Sequence, residues 1–207
     1  MTTVARDERA QLCDLFAEVG PDQPTLCDGW TTRDLAAHLV VRERRPDAAF
    51  GILVKPLAGY LDGVQRKIAA KPWDELVHLV RTGPPAFSPY ALLDTLVNTT
   101  EFFVHHEDVR RAQPDWQPRP ADPKRDAALW TAVARAGKLM YRNSPVGVAL
   151  RTPAGREVAV KRGPTTVSVV GEPGELLLHA FGRDQAVVDY DGEQAAIGAV
   201  RGLARGL

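Results

Sequence analysis

Cysteine is scarce in this chain. Only Cys13 and Cys27 occur among 207 residues, too few for a disulfide scaffold and wrongly spaced for a zinc ribbon. A dominant charge is missing as well: lysine plus arginine and aspartate plus glutamate number 26 each, so the balance calls for no nucleic-acid or anionic-membrane partner. Arg42, Arg44, Arg45 and Arg110, Arg111 read as solvated or paired helix faces. No apolar run is long enough to span a bilayer, and the opening MTTVARDERAQ has no apolar signal-peptide core, so a soluble cytoplasmic protein is expected. Repeats and low-complexity tracts are absent too. What is present is 44% hydrophobic content, enough at this length for a real core in one large or two small domains.

Periodicity divides the chain in two. A first amphipathic helix directs Leu12, Leu15, Phe16 and Val19 inward and stops at Gly20-Pro21. Thr31 to Asp34 forms a capping box that opens a second helix, with Trp30 stapled onto Leu35. Pro46 interrupts that helix or begins a short continuation over 50–57. Helical segments follow over 59–70 and 73–81, then a proline-rich loop over 82–89. A long helix covers 90–111, a proline-rich connector 113–123, and a further helix 126–142 with Leu129, Trp130, Val133 and Leu139 as its apolar set. After Asn143 the pattern alternates in VGVALRT, REVAVKR and TTVSVVG, which predicts three short strands. GELLLHAF after Glu172-Pro173 is helical, QAVVDYDG reads as a fourth strand, and a terminal helix surrounds Ile197 and Val200. A mainly α bundle over 1–143 and a small α+β domain over 144–207 are expected.

The 90–111 helix carries the chemistry. Its sequence, YALLDTLVNTTEFFVHHEDVRR, contains no glycine or proline. At about 100° per residue, Asp94, Asn98, Glu101, His105 and Asp108 share one narrow sector, while Leu92, Leu93, Leu96, Phe102, Phe103, Val104 and Val109 cover most of the rest. Such a stripe is either the solvated side of a surface helix or a set of polar groups turned toward an internal partner. His38 bears on that choice, because a helix starting at Thr31 places Leu35, His38, Leu39 and Arg42 on one face. As a core histidine it needs only a hydrogen bond; as a ligand it completes a set. Zinc or nickel accepts imidazole nitrogen and carboxylate oxygen, and Glu101 and His105, at i and i+4, can point to one ion. A third ligand from another helix leaves coordination positions open, as in catalytic sites.

Neighbouring residues divide by geometry. His106 lies about 100° farther round, away from Glu101, and is rejected as a ligand. Asp108 either orients an imidazole or is solvated or arginine-paired, and stays outside the ligand set. Cys13 is a half-buried structural thiol, and Cys27, in the loop leading to His38, is placed to approach the site but has no histidine beside it in sequence to make it a catalytic nucleophile. His78 and His179 have no metal-spaced partner and read as structural.

Three segments, PTLCDGWTTRDLAAHLVVRERRPDA, NTTEFFVHHEDVRRA and VVGEPGELLLHAFGRDQAVVDYDG, together resemble the mycothiol-dependent maleylpyruvate isomerase-like family within the DinB-like metal-binding bundles. The resemblance spans most of the chain. It implies a DinB-like four-helix bundle followed by a small sterol-carrier-like α+β domain. The family's histidine, glutamate and histidine ligands fall on His38, Glu101 and His105, holding Zn2+ or another divalent ion. It also implies a small-molecule thiol, mycothiol, whose metal-favoured thiolate attacks an electrophilic substrate. Arg42, one turn beyond His38, is the candidate to pair with a carboxylate of cofactor or substrate, or forms an ion pair with Glu43 or the Asp94/Asp108 stripe. Arg183 is a weaker catalytic candidate, otherwise a capping or surface residue. Two classes are thus in play: a metal-dependent thiol transferase or isomerase, and a non-catalytic metal-binding or stress-response scaffold. An apolar-ligand carrier built on the tail domain ranks last. A homodimer is left open.

Overall fold

In the computed structural model, which describes residues 3–45, 47, 58–85 and 95–205, helix α1 (Val4–Val19) begins at Thr3, whose hydroxyl accepts from the Arg6 amide. It ends where Gly20 adopts φ 84° and donates its N–H to Phe16 O, a turn that favours glycine. Helix α2 (Thr32–Arg44) opens with the predicted capping box, both of whose hydrogen bonds are formed between Thr31 and Asp34. Helices α3 (Ala58–Ala69), α4 (Trp73–Thr82) and α5 (Thr95–Arg110) follow. The expected segments over 50–57 and 86–89, and the start of the long helix over 90–94 with Leu92, Leu93 and Asp94, lie outside the described residues.

The chain divides into two compact units, 1–117 and 118–207. In the first, α1 packs on α4 and α5, and α2 packs on α3 and α4. Leu12, Cys13 and Phe16 of α1 meet Leu35 and Leu39 of α2, Leu76 and Val80 of α4, and Phe102 and Val109 of α5 in one core. Full burial of each large apolar side chain contributes about 1.5–3 kcal/mol. Three helices are also tied by polar contacts: the Arg9 guanidinium reaches Glu43 at 2.6 Å and Val80 O at 2.7 Å.

In the second unit, Asp122 caps helix α6 (Pro123–Met140) by accepting from the Lys124 and Arg125 amides at 2.9 and 3.0 Å, with proline in the first turn. Strands β1 (Gly147–Arg151), β2 (Glu157–Lys161) and β3 (Thr166–Val170), helix α7 (Pro173–Ala180), strand β4 (Asp189–Asp191) and helix α8 (Gln194–Arg201) complete it. The sheet order is β2-β1-β3-β4; β1 runs parallel to β3, and the outer pairs are antiparallel. Alternation along β3 buries Val167 and Val169, as period-two patterning requires. Helix α6 packs on α7 and β2, so the 126–142 helix falls on the second side of the packing boundary. The expected break at 143/144 is where helix gives way to strand. The helix phase also differs from expectation: Met140 is buried, while Leu139 is 48% exposed. Expected strand QAVVDYDG pairs over three residues only. No helix among the described residues is long and apolar enough to cross a membrane.

Candidate metal centre

Helix α2 presents His38 and helix α5 presents Glu101 and His105, and the three meet inside the first unit. His38 Nε2 lies 3.2 Å and His105 Nε2 3.4 Å from the same Glu101 oxygen, Oε1. One candidate ligand atom from each residue lies within 4.8 Å of the others. The two imidazoles approach edge to face, with ring centroids 5.4 Å apart, and Trp30 covers His38 at 5.2 Å. Zinc bonds of 2.0–2.1 Å in a tetrahedron place ligand atoms roughly 3.3 Å apart, so the two carboxylate–imidazole distances match tetrahedral edges.

His105 is held from behind. Its Nδ1 is 2.9 Å from Asp108 Oδ2, and Asp108 is fully buried, so the carboxylate fixes Nδ1–H as donor and leaves Nε2 facing Glu101. Of the two sequence readings of Asp108, the orienting one matches this geometry. Cys27 joins the same carboxylate: its thiol donates to Asp108 Oδ2 at 3.2 Å and lies 3.9 Å from His105 Nδ1. This contact joins residues 81 positions apart, and the spacing gave no sign of it. The segment between α1 and α2 positions Cys27 by folding back on itself. Thr25 N–H donates to Trp30 O, Trp30 N–H to Cys27 O and Thr32 N–H to Gln23 O, while Leu26 N–H reaches Asp108 O at 3.0 Å on α5.

Electrostatics favour the ligating forms of two of the groups. Burial pushes His38 down from its ordinary value, and the hydrogen bond to Glu101 offsets this only in part. Burial raises the Glu101 carboxyl, but hydrogen bonds from His105 and His38, with the charges of His105 and Arg42, outweigh it and hold Glu101 well below the usual carboxylate range. For His105 burial is likewise overcome, by Asp108, Cys27 and Glu101, and its pKa is held well above the ordinary value.

The other expected residues take definite places. Arg42 does not pair with Glu43, which Arg9 takes; its Nε lies 3.3 Å from Glu101 Oε1 and its Nη1 donates to Asn98 at 3.1 Å. His106 is buried on another face, 2.9 Å from Glu8. His78 is exposed. Arg183 belongs to the second unit, where it donates to Phe181 O at the end of α7.

No protein-family model and no curated protein sequence matches the chain. Among solved structures it is similar to mycothiol-dependent maleylpyruvate isomerase and to a histidine-to-alanine mutant of that enzyme. The mutant structure superposes with a TM-score of 0.63 at 15% identity, covering 93% of this chain and 97% of the other. The unmutated enzyme gives 0.57 at 16% identity with the same coverage. The chain therefore has the fold of these isomerase structures, a helical bundle with a small α+β domain after it.

Proposed function

We propose that the protein is a divalent-metal enzyme, zinc being the best-suited ion, that uses a low-molecular-weight thiol of the mycothiol kind to transfer to or isomerise a small electrophile. The observation that carries this reading is the meeting of His38, Glu101 and His105 at distances suited to one ion. A nitrogen, nitrogen, oxygen set suits zinc and leaves room for an incoming sulfur. The fold's likeness to mycothiol-dependent isomerase structures supports the thiol.

In this reading Glu101 supplies charge, His38 supplies a neutral nitrogen, and His105, whose pKa is held high, gives up a proton as it ligates. Asp108 holds the Nδ1–H of His105, so the proton released on ligation is the one on Nε2, beside Glu101. Arg42 steadies the Glu101 carboxylate and is the candidate to pair with a carboxylate of the cofactor or substrate. A bound divalent cation supplies the positive charge that favours thiolate over thiol at neutral pH.

The test is elemental analysis of protein purified without chelator, followed by turnover of maleylpyruvate with mycothiol. One ion per chain and turnover that disappears on chelation are expected, and Glu101→Gln should lose ion and turnover together. Turnover that survives complete metal removal overturns the mechanism. A stoichiometric ion without turnover of this or any model electrophile overturns the enzyme and leaves the scaffold.

A further inference from the structure

The second unit contains a cavity of about 320 Å³ between α7, β4 and α8, space for roughly ten waters at liquid density. Three of its lining residues, Arg183, Arg201 and Arg205, are cationic, and one, Asp184, is acidic and exposed. Ala186 and Val188 give it an apolar wall.

A hydrogen-bond chain runs from a buried hydroxyl to a residue that lines this space. Tyr141 is completely buried, and its hydroxyl meets His179 Nδ1; His179 Nε2 lies 2.8 Å from the Tyr190 hydroxyl. His179 is held neutral, its pKa pushed down to about 3 by burial and then by the charge of Arg205, so the ring carries one N–H. Were that proton on Nδ1, the Tyr141 hydroxyl would accept it and would itself have no acceptor among the described residues, an unfavourable state for a buried group. Tyr141 therefore donates to Nδ1, and Nε2–H donates to Tyr190. The Tyr190 proton is then left over. No acceptor for it exists among the described residues, and Tyr190 lines the cavity.

Two arginines line the same cavity without a carboxylate partner among the described residues. Arg201 lies over the Tyr190 ring, 4.6 Å from its centroid. Arg205 is clamped, donating to His179 O at 3.0 Å and to Val200 O. Gly182 adjoins it: a Cβ there would stand 2.6 Å from Arg205 O, at a φ of 79°. Both arginines are thus fixed by rings and carbonyl groups, which leave their charge uncompensated.

We propose that this cavity binds a small organic anion, a carboxylate or phosphate on an apolar body, with Tyr190 donating a hydrogen bond and Arg201 and Arg205 supplying the charge. The apolar wall takes the body. The assignment depends on residues 179–205 and is independent of the function proposed for the metal centre.

The test is calorimetric titration of the full-length protein with benzoate and with phenyl phosphate, with benzamide as the neutral control. Saturable binding of at least one anion is expected, weakened about 10-fold in Tyr190→Phe and more in Arg201→Gln, and unchanged after metal removal by chelation. The stronger of the two anions identifies the acid group. The proposal is overturned by equal binding of benzamide, by wild-type affinity in both variants, by loss of binding on chelation, or by no saturable binding up to about 10 mM. Circular dichroism of each variant confirms that it is folded.

Discussion

At the residue scale the proposed centre depends on a carboxylate placed behind one of its imidazoles. Asp108 fixes the ring of His105 from a fully buried position, so Asp108→Asn, which keeps the shape and removes the charge, should weaken zinc binding about 10–100-fold. Competition with a fluorescent chelator measures this, and an unchanged Tm shows that the loss is local. The faces that carry His38, Glu101 and His105, whose convergence is implied by the family resemblance, are readable in the sequence, because a capped helix start sets one register and an i, i+4 pair sets the other. The pairing of Cys27 with Asp108 is not, since nothing local encodes a contact between a loop and a helix end far along the chain. Arg42 shows the same limit. Its face was evident, but whether it met Glu43, the acidic stripe or a ligand depended on Arg9, on another helix, taking Glu43 first.

At the element scale α6 packs tightly where it crosses the sheet. A Cβ on Gly137 would stand 2.6 Å from Val160 Cγ1 and 3.1 Å from Leu150 Cδ1. Alanine gains up to about 1 kcal/mol in helix propensity, while overpacking costs about 1–3 kcal/mol. Because Val160 is β-branched and stiff, overpacking should win. Gly137→Ala is expected to lose about 1–2 kcal/mol in urea denaturation. The contact also explains what periodicity missed in this helix. An apolar residue at every third or fourth position fits Leu139 or Met140 equally, and only the sheet beneath decides that Met140 goes in. Short β4 was over-read for a related reason: QAVVDYDG carries the strand formers Val187, Val188 and Tyr190, yet it pairs with β3 over Ser168, Val169 and Val170 alone.

At the scale of the whole molecule, buried His179 makes stability depend on pH. Its pKa is about 3 in the folded protein and 6.5 for the ordinary group. As pH falls through 6.5 the unfolded chain takes up a proton that the folded one refuses, so stability declines from there down to about 3. Between pH 7 and pH 5 this one group should cost about 2 kcal/mol. Denaturation midpoints across that range should slope less steeply in His179→Gln, the slope and not the absolute stability being the readout. The order of a mainly helical half and an α+β half follows from the change of hydrophobic period near Asn143. Where the molecule divides in space does not, because α6 has a helical pattern but finds its partners, α7 and β2, later in the chain.

The segment from Gly20 to Thr32 closes on itself through Thr32 Oγ1 to Gly20 O and the Pro24–Thr31 bridge, and it is stitched to α5 at Leu26. A clasp fastened at that many points has a set length. Exposed Asp28 and Gln23 can change identity freely, but one residue inserted between Thr25 and Trp30 would have to undo the stitch or rotate His38 out of line, so differences in length among descendants of this chain should collect elsewhere, for instance in the proline-rich connector over 113–122.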